Sequence, residues 1–126
     1  MMSDLEAKRE MFLAKVEKMR QQYIETLRMR HSNLRSIRKM IGDDGPTESD
    51  AEQFRQDIHK TSGTAKSFGY PKLSESAAIA CASIEQFKRG SLGSQKVLHS
   101  LDQFLTEMEH VLAEADRGST TIANHR

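Results

Sequence analysis

The first third of the chain carries a narrow stripe of apolar residues on a polar background. These residues are spaced in threes, fours and sevens, and they are Leu5, Phe12, Val16, Met19, Tyr23, Leu27, Leu34, Ile37 and Ile41. An α-helix turns once every ~3.6 residues, so this spacing places them on one face. Neither glycine nor proline interrupts the run before Gly42. The pattern therefore predicts one long helix, although a break near Gln21-Gln22 fits it equally well.

Such a helix is longer than a small bundle needs, and its first turns are expected to overhang the other helices. Phe12 and Val16 would then be exposed and available to a second copy or to another protein, which leaves the oligomeric state open.

Three shorter segments with helical periodicity follow. Thr47 or Ser49 suits the cap of a second helix, which is expected to end near Gly69. Pro71 suits the first turn of a third helix, where its missing N–H group costs nothing. The glycine-rich stretch 90–94 has no preceding strand and no following Gly-Lys-Ser/Thr, so it is interpreted as a turn rather than a phosphate loop. The segment after it has a broad apolar face and predicts a fourth helix.

These elements predict an all-α fold, an antiparallel four-helix bundle with a long N-terminal helix. The bundle is expected to span residues 1–118. Residues 119–126 offer little apolar surface to bury, so we expect them to form a flexible C-terminal tail.

Composition narrows the functional classes. The chain has 126 residues and a net charge of +1, which argues against nucleic acid as the main partner. No apolar run approaches the ~20 residues needed to span a bilayer, and Met1–Glu10 lacks the apolar core of a signal peptide. Cys81 is the sole cysteine, which fits a reducing compartment. The sequence therefore predicts a cytoplasmic protein that does not contact membranes.

Charge is unevenly distributed along the chain. Residues 1–41 contain ten Lys and Arg against five Asp and Glu, whereas the remaining residues contain nine against thirteen. The basic excess of the first helix has two interpretations, a solvated face or a docking surface for an acidic partner.

The second helix contains the main candidate for chemistry, His59. Its inward stripe is predicted to consist of Phe54, Ile58, Ala65 and Phe68. His59 lies at the edge of that stripe and is expected to face water. Gly63 lies one turn later, where a glycine costs about 1 kcal/mol relative to alanine without adding any packing. A local preference broken in this way indicates a working surface, because a small residue lets a partner approach the ring.

Other small or charged side chains surround His59 on the same helix surface. The neighbours three, four and seven residues away, together with the adjacent lysine, are Arg55, Gln56, Lys60, Ser62 and Lys66. An exposed imidazole with cationic neighbours and room for a protein is what a carrier of a phosphoryl group on nitrogen requires.

This region resembles the signature of histidine-containing phosphotransfer domains, the HPt family of two-component phosphorelays. The matching positions are His59, Gly63, Ala65, Phe68, Gly69, Leu73, Ala77 and the pair Ile84-Glu85. One departure is that many members carry lysine three residues after the histidine, where this chain has Ser62; Lys60 and Lys66 would then supply the charge.

The resemblance implies a function and a set of partners. His59 would accept a phosphoryl group from a response-regulator receiver aspartate and pass it to another receiver, and a hybrid sensor kinase is a further candidate partner. The chain would be a phosphohistidine carrier rather than an enzyme, with no cofactor of its own and Mg²⁺ held by the receiver. The residues expected to contact the phosphoryl group or the partner are Arg55, Gln56, Lys60, Ser62, Gly63, Lys66 and Gly69.

Two other interpretations compete. Glu107 and His110 have a spacing used in metal-binding helical bundles, but the second pair and further glutamates of such sites are missing, so no metal site is predicted. The alternative function is an adaptor or kinase-regulating bundle that binds a signalling partner and never carries phosphate. The remaining histidines are interpreted as surface residues, and they are His31, His99, His110 and His125.

Overall fold

The computed structural model describes the backbone of residues 3–124 and the side chains of residues 3–118. It contains four helices, α1 (Asp4–Met40), α2 (Glu48–Ala65), α3 (Pro71–Lys88) and α4 (Ser94–Asn124). Each helix packs against its neighbours in sequence, and α1 also packs against α4, so the four close into a ring. This is the predicted all-α four-helix bundle.

Helix α1 is unbroken over 37 residues, so the break considered near Gln21-Gln22 does not occur. Ser3 caps it, with the Glu6 backbone N–H donating to the Ser3 hydroxyl at 3.2 Å. Its first buried residue is Tyr23, and every residue from Asp4 to Arg20 is exposed except the half-buried Ala7. The overhang predicted from the sequence is therefore present.

Helix α2 begins as the sequence predicted. The Asp50 N–H donates to the Thr47 hydroxyl at 3.1 Å, and the Thr47 N–H donates to the Asp50 carboxylate at 3.4 Å. This reciprocal capping box selects Thr47 over Ser49 as the cap. Pro71 occupies the first turn of α3, also as predicted.

The core lies between the four helices and is built from the predicted stripes, except that the stripe of α1 joins it only from Tyr23 onward. Phe54, Ile58, Leu73, Ile84 and Phe104 are among its fully buried side chains. Burial of each such side chain contributes about 1.5–3 kcal/mol, so packing of these faces, rather than helix propensity, holds α2 in place.

Three ion pairs align α1 with α4. They are Arg28–Asp116 at 3.0 Å, Arg35–Glu109 at 2.7 Å and Arg38–Asp102 at 2.7 Å. Residue numbers rise along α1 as they fall along α4, so the two helices are antiparallel. Part of the basic excess of α1 is thus paired with carboxylates of α4. Neither a solvated face nor a docking surface for an acidic partner, the two interpretations of the sequence, anticipated these pairs.

Helix α4 passes through Gly118, where the bundle was predicted to end, and continues to Asn124. A flexible tail was predicted for residues 119–126. Their side chains lie outside the described part of the chain, so this prediction is not tested. Within the described residues, no helix has an apolar stretch long enough to cross a lipid bilayer.

Candidate functional site

His59 lies on the outer surface of α2, with its side chain exposed to solvent. The inward face of this helix is fixed by Phe54, Ile58 and Ala65, each of which is fully buried. Within the described part of the chain, no hydrogen bond or ion pair holds the imidazole. The ring is thus presented by a rigid element while both of its nitrogens remain available.

The residues one turn after His59 on α2 have small side chains or none. Gly63 is exposed, and a Cβ atom added there would meet nothing within 4 Å outside its own helix backbone. The fold therefore does not require glycine at this position, and what glycine provides is free space. Ser62 is half-buried, and its carbonyl oxygen accepts a hydrogen bond from the Ser74 hydroxyl of α3 at 3.1 Å.

The cationic residues around His59 are not equivalent. Arg55 donates from Nε and Nη2 to the two Glu52 carboxylate oxygens at 3.0 and 2.8 Å. Gln56 also donates to Glu52, at 3.3 Å, and Lys88 approaches the same carboxylate at 3.6 Å. These interactions, the Arg55 hydrogen bonds first among them, lower the pKa of Glu52 to about 2. Arg55 is therefore already paired with a carboxylate of its own helix.

The two lysines keep their charge available. Lys60 and Lys66 are both exposed, and no ion pair involves either of them among the described residues. Lys66 lies two helical turns after His59, about 10 Å along the helix axis and at nearly the same azimuth. The free positive charge on this face therefore comes from these two side chains.

Gly69 has a different position from the rest of the predicted set. Its φ of +90° is in the left-handed region, and it closes the turn after α2. The Gly69 N–H donates to the Lys66 carbonyl at 3.1 Å and the Tyr70 N–H to the Ala65 carbonyl at 2.9 Å, the pair of bonds of a Schellman motif. Gly69 lies ten residues after His59, roughly 15 Å along the chain direction. Its conformation explains the glycine without any contact to a phosphoryl group.

Residues of α1 support the back of α2. The Tyr23 ring stacks on Phe68 with centroids 4.4 Å apart, and the Thr64 hydroxyl lies 3.2 Å from the Tyr23 hydroxyl. Burial raises the pKa of Tyr23, because the phenolate would lose its hydration there. Arg30 donates to the buried hydroxyl of Thr61 at 3.3 Å.

Sequence reasoning missed these supporting residues. Glu52 carried a usable signal, because it lies three residues before Arg55 and four before Gln56 on one helix face. Tyr23 and Arg30 carried none, because they are more than 30 residues away from their partners.

The other histidines divide into two groups. His99 and His110 are exposed, as predicted. His31 was predicted to be a surface residue and is one only in part: its side chain is 20% exposed, and Nε2 lies 3.0 Å from the Glu109 carboxylate. The packing of α4 against α1 covers it. His125 lies outside the described residues.

The chemistry open to the His59 region is limited by its position on the outer surface of α2. A ring nitrogen can act as a nucleophile, but His59 is not among the lining residues of the three clefts that lie beside Arg28, Glu48 and Ile79. Within that part of the chain, no three His, Cys, Asp or Glu residues come together as a potential metal site. Among the described residues, Lys60 and Lys66 are the exposed cations without an ion pair on the face that carries His59.

The sequence was compared with protein families, curated proteins and solved structures. The family described as Hpt domain matches residues 18–114, more than three-quarters of the chain, and the match contains His59 and all of α2 and α3. No curated protein and no solved structure matched. Hpt domains are phosphocarrier modules of two-component signalling and not kinases. With its four-helix bundle and its exposed histidine on α2, the chain belongs to the Hpt domain family.

Proposed function

We propose that His59 is the phosphoacceptor of this Hpt domain, taking a phosphoryl group from a receiver aspartate and passing it to a second receiver. The single observation that carries the proposal is an imidazole exposed on a rigid helix, beside a glycine that the fold does not need. An exposed ring that has no hydrogen-bond or ion-pair partner among the described residues is free to enter another protein's active site.

The transfer step needs little from this chain beyond the ring. The lone pair of a neutral imidazole nitrogen, Nε2 in the pose we favour, attacks phosphorus while the bond from phosphorus to the aspartate oxygen breaks. The aspartate leaves as a carboxylate, and the Nδ1–H proton stays on the ring, so the ring of the phosphohistidine is cationic while its phosphoryl group keeps its negative charge. Return of the phosphoryl group to a second aspartate reverses the same bonds. The step therefore conserves both electrons and protons.

Electrostatic help is divided between the two proteins. Lys60 and Lys66 favour the approach of an acidic receiver pocket and of the phosphoryl oxygens. Ser62 stands where many members carry a lysine, and in this proposal the charge is supplied instead by Lys60, next to His59, and by Lys66, two helical turns later. The receiver's Mg²⁺ would neutralise charge on the transferring group when bound, and the described residues of this chain offer no cluster of ligands that would hold the ion themselves.

Ser62 and Gly63 leave room for the partner backbone beside His59. Gln56, on the other side of His59 along α2, offers a side-chain amide to the partner. Arg55 has a smaller role in this proposal than the sequence implied, since Glu52 binds its guanidinium. Gly69 acts through the turn that ends the helix. These assignments give the partner a surface of mostly small side chains with two free positive charges.

The decisive test replaces the ring. Purified protein is incubated with a phosphorylated receiver, and the modification is followed by mass and by its stability in acid and in base. We expect wild-type protein to gain a phosphoryl group that is labile in acid and stable in base, and His59→Gln to gain none. His99→Gln is the matched control, because His99 is an exposed histidine on α4.

Far-UV circular dichroism of both variants should match the wild type, since neither side chain is part of the core. Phosphorylation that survives His59→Gln would refute the assignment. If the wild type binds receivers but never carries phosphate, an adaptor role would replace the phosphorelay.

A further inference from the structure

The overhang, residues 4–20 of α1, carries an apolar seam that no described part of the molecule covers. Its large apolar side chains include Leu5, 79% exposed, Phe12, 64%, and Met19, 56%. An isolated helix of this length is marginal in water, and exposed apolar rows of this kind mark interaction sites. The family match begins only at residue 18, so nearly all of this segment lies outside the part that belongs to the Hpt family.

The seam has the spacing of a coiled coil. Leu5, Phe12 and Met19 recur every seven residues, and Arg9 and Val16 repeat the same interval four residues later. Apolar residues that alternate in threes and fours form the contact line between two helices. A single polar residue at such a position, here Arg9, restricts the register in which two helices can pair.

We infer that this chain forms a homodimer through an antiparallel pairing of two overhangs, with the two Phe12 side chains near the twofold axis. Four seam side chains per copy, at ~100–150 Å² each, would bury about 1,000 Å² in total, which is near the lower limit for a specific interface. The expected dimer is therefore reversible, with a dissociation constant roughly in the micromolar range.

The fold excludes the parallel alternative. The seam continues into Tyr23, which is buried and stacked on Phe68 of the same molecule. From Tyr23 onward, each helix thus has its own bundle on the seam side. Two parallel copies would have to place both bundles in the same space, whereas antiparallel copies place them at opposite ends of a rod.

Charge favours the same orientation. Residues 4–10 contain three acidic and two basic side chains, whereas residues 15–20 contain three basic and one acidic. Antiparallel pairing brings the acidic end of one copy against the basic end of the other, and parallel pairing would bring like against like. A membrane surface is a poorer occupant, because helices that bind anionic lipid have a polar face rich in Lys and Arg, and this one is mixed.

The pairing leaves both phosphoacceptor faces open. Arg30 of α1 donates to Thr61, so His59 lies near the level of Arg30. That level is 18 residues from Phe12, about 27 Å along α1, and the two His59 rings would be roughly 50 Å apart. Dimerisation is therefore separable from phosphotransfer.

Sedimentation equilibrium of the full chain from 1 to 500 µM tests the proposal. We expect the mass to rise from 14.3 kDa towards twice that value as the concentration increases. Phe12→Glu with Val16→Glu should weaken association at least tenfold. Ile79→Glu, which changes an exposed apolar residue on α3, is the matched control and should dimerise normally.

A cross-linking experiment in a Cys81→Ser background tests the orientation. Leu5→Cys and Met19→Cys should each fail to form disulfide dimers alone but should cross-link efficiently when mixed. Self-linking of Leu5→Cys would overturn the antiparallel arrangement.

A wild-type chain that stays at 14.3 kDa up to 500 µM, or a dimer that persists in the Phe12 and Val16 variant, would overturn the proposal. In the monomeric case, sedimentation with vesicles of phosphatidylcholine and phosphatidylglycerol would show whether lipid is the occupant instead. Phosphotransfer by the double variant at the wild-type rate is expected, and its loss would contradict the separation of the two functions.

Discussion

At the scale of the residue, access to His59 depends on the absence of a side chain at Gly63 as much as on the imidazole itself. Outside its own helix backbone, Gly63 has no neighbour within 4 Å of the position that a Cβ atom would take, so the described residues give no packing reason for glycine there. Glycine still lowers helix stability by about 0.5–1 kcal/mol relative to alanine. A residue that weakens the fold while leaving the surface open is explained by the approach of a partner.

Replacements at Gly63 should therefore separate stability from transfer. Gly63→Ala and Gly63→Gln are expected to raise the free energy of unfolding by roughly 0.5–1 kcal/mol, because the new side chains meet open space and favour the helix. Gly63→Gln should slow phosphotransfer at least about tenfold by holding the partner away from His59. Urea denaturation and a receiver-transfer assay measure the two effects.

Gly118→Ala is the control for this comparison, since Gly118 is a second helical glycine with open space around it. It should raise stability without changing transfer. A Gly63→Gln variant that transfers the phosphoryl group at the wild-type rate would contradict the prediction that glycine is needed for a partner to reach His59.

The free lysines should matter more than the paired arginine. Lys60→Gln or Lys66→Gln is expected to lower the second-order rate of transfer roughly two- to tenfold at low salt, with a smaller effect at high salt because ions screen the attraction. The double change Arg55→Gln with Glu52→Gln removes a pair of opposite charges and should leave the rate within about twofold. Lys96→Gln, an exposed lysine on α4, controls for net charge. Equal losses from all these variants would show that the position of the charge is unimportant.

At the scale of the element, the register of α1 against α4 is set by a row of arginines that meets a row of carboxylates. Glu109 lies at its centre and accepts from Arg35 at 2.7 and 3.0 Å, with His31 at 3.0 Å. Burial alone would raise the pKa of Glu109, but the hydrogen bonds from Arg35 and His31 outweigh it, so the pKa is lowered. The carboxylate is thus stabilised in its ionised form.

Removing this pair should give a measurable but modest coupling. A double-mutant cycle of Arg35→Gln and Glu109→Gln is expected to yield about 0.5–1 kcal/mol at pH 7, limited by the 41% exposure of the Glu109 side chain. Because the pKa of Glu109 is lower in the folded state, this stabilisation is complete above the ordinary value of 4.5 and is lost as the pH falls through the folded pKa. Urea denaturation at pH 7 and near pH 3 measures the coupling. A coupling that persists unchanged at the lower pH would contradict this origin.

At the scale of the whole molecule, the chain consists of a packed bundle and a helical extension of its first element. The core begins at Tyr23, while the residues from Asp4 to Arg20 contribute almost nothing to it. The stability of the bundle and the presence of the overhang should therefore be independent. This division also follows the boundary of the family match at residue 18.

Deletion of residues 1–17 should accordingly leave the bundle folded. The free energy of unfolding is expected to change by less than about 1 kcal/mol, since the deleted side chains bury little apolar surface. Urea denaturation at about 1 µM, where dimerisation adds nothing by mass action, measures this change. A large decrease in the urea concentration at the unfolding midpoint would mean that the overhang stabilises the core.

Much of the fold follows from local physics and was predictable. A cap at Thr47 or Ser49, termination near Gly69 and the inward stripe of α2 depend on residues within one or two turns of each other, where helical geometry fixes which side chains meet. The exposure of His59 follows from the same geometry, because a residue at the edge of an apolar stripe faces water. The overhang follows from the length of the first stripe, because the first helix is longer than a bundle of this size needs.

Other features depend on residues that are distant in sequence. The sequence by itself determined four helices, their buried faces and an accessible histidine, because each depends on spacing along one helix. Only the tertiary structure decided that the arginines of α1 pair with α4, that His31 is covered by Glu109 and that Tyr23 supports the back of α2. Those contacts depend on the register between helices, and register is fixed by the packing of the whole bundle rather than by any local pattern.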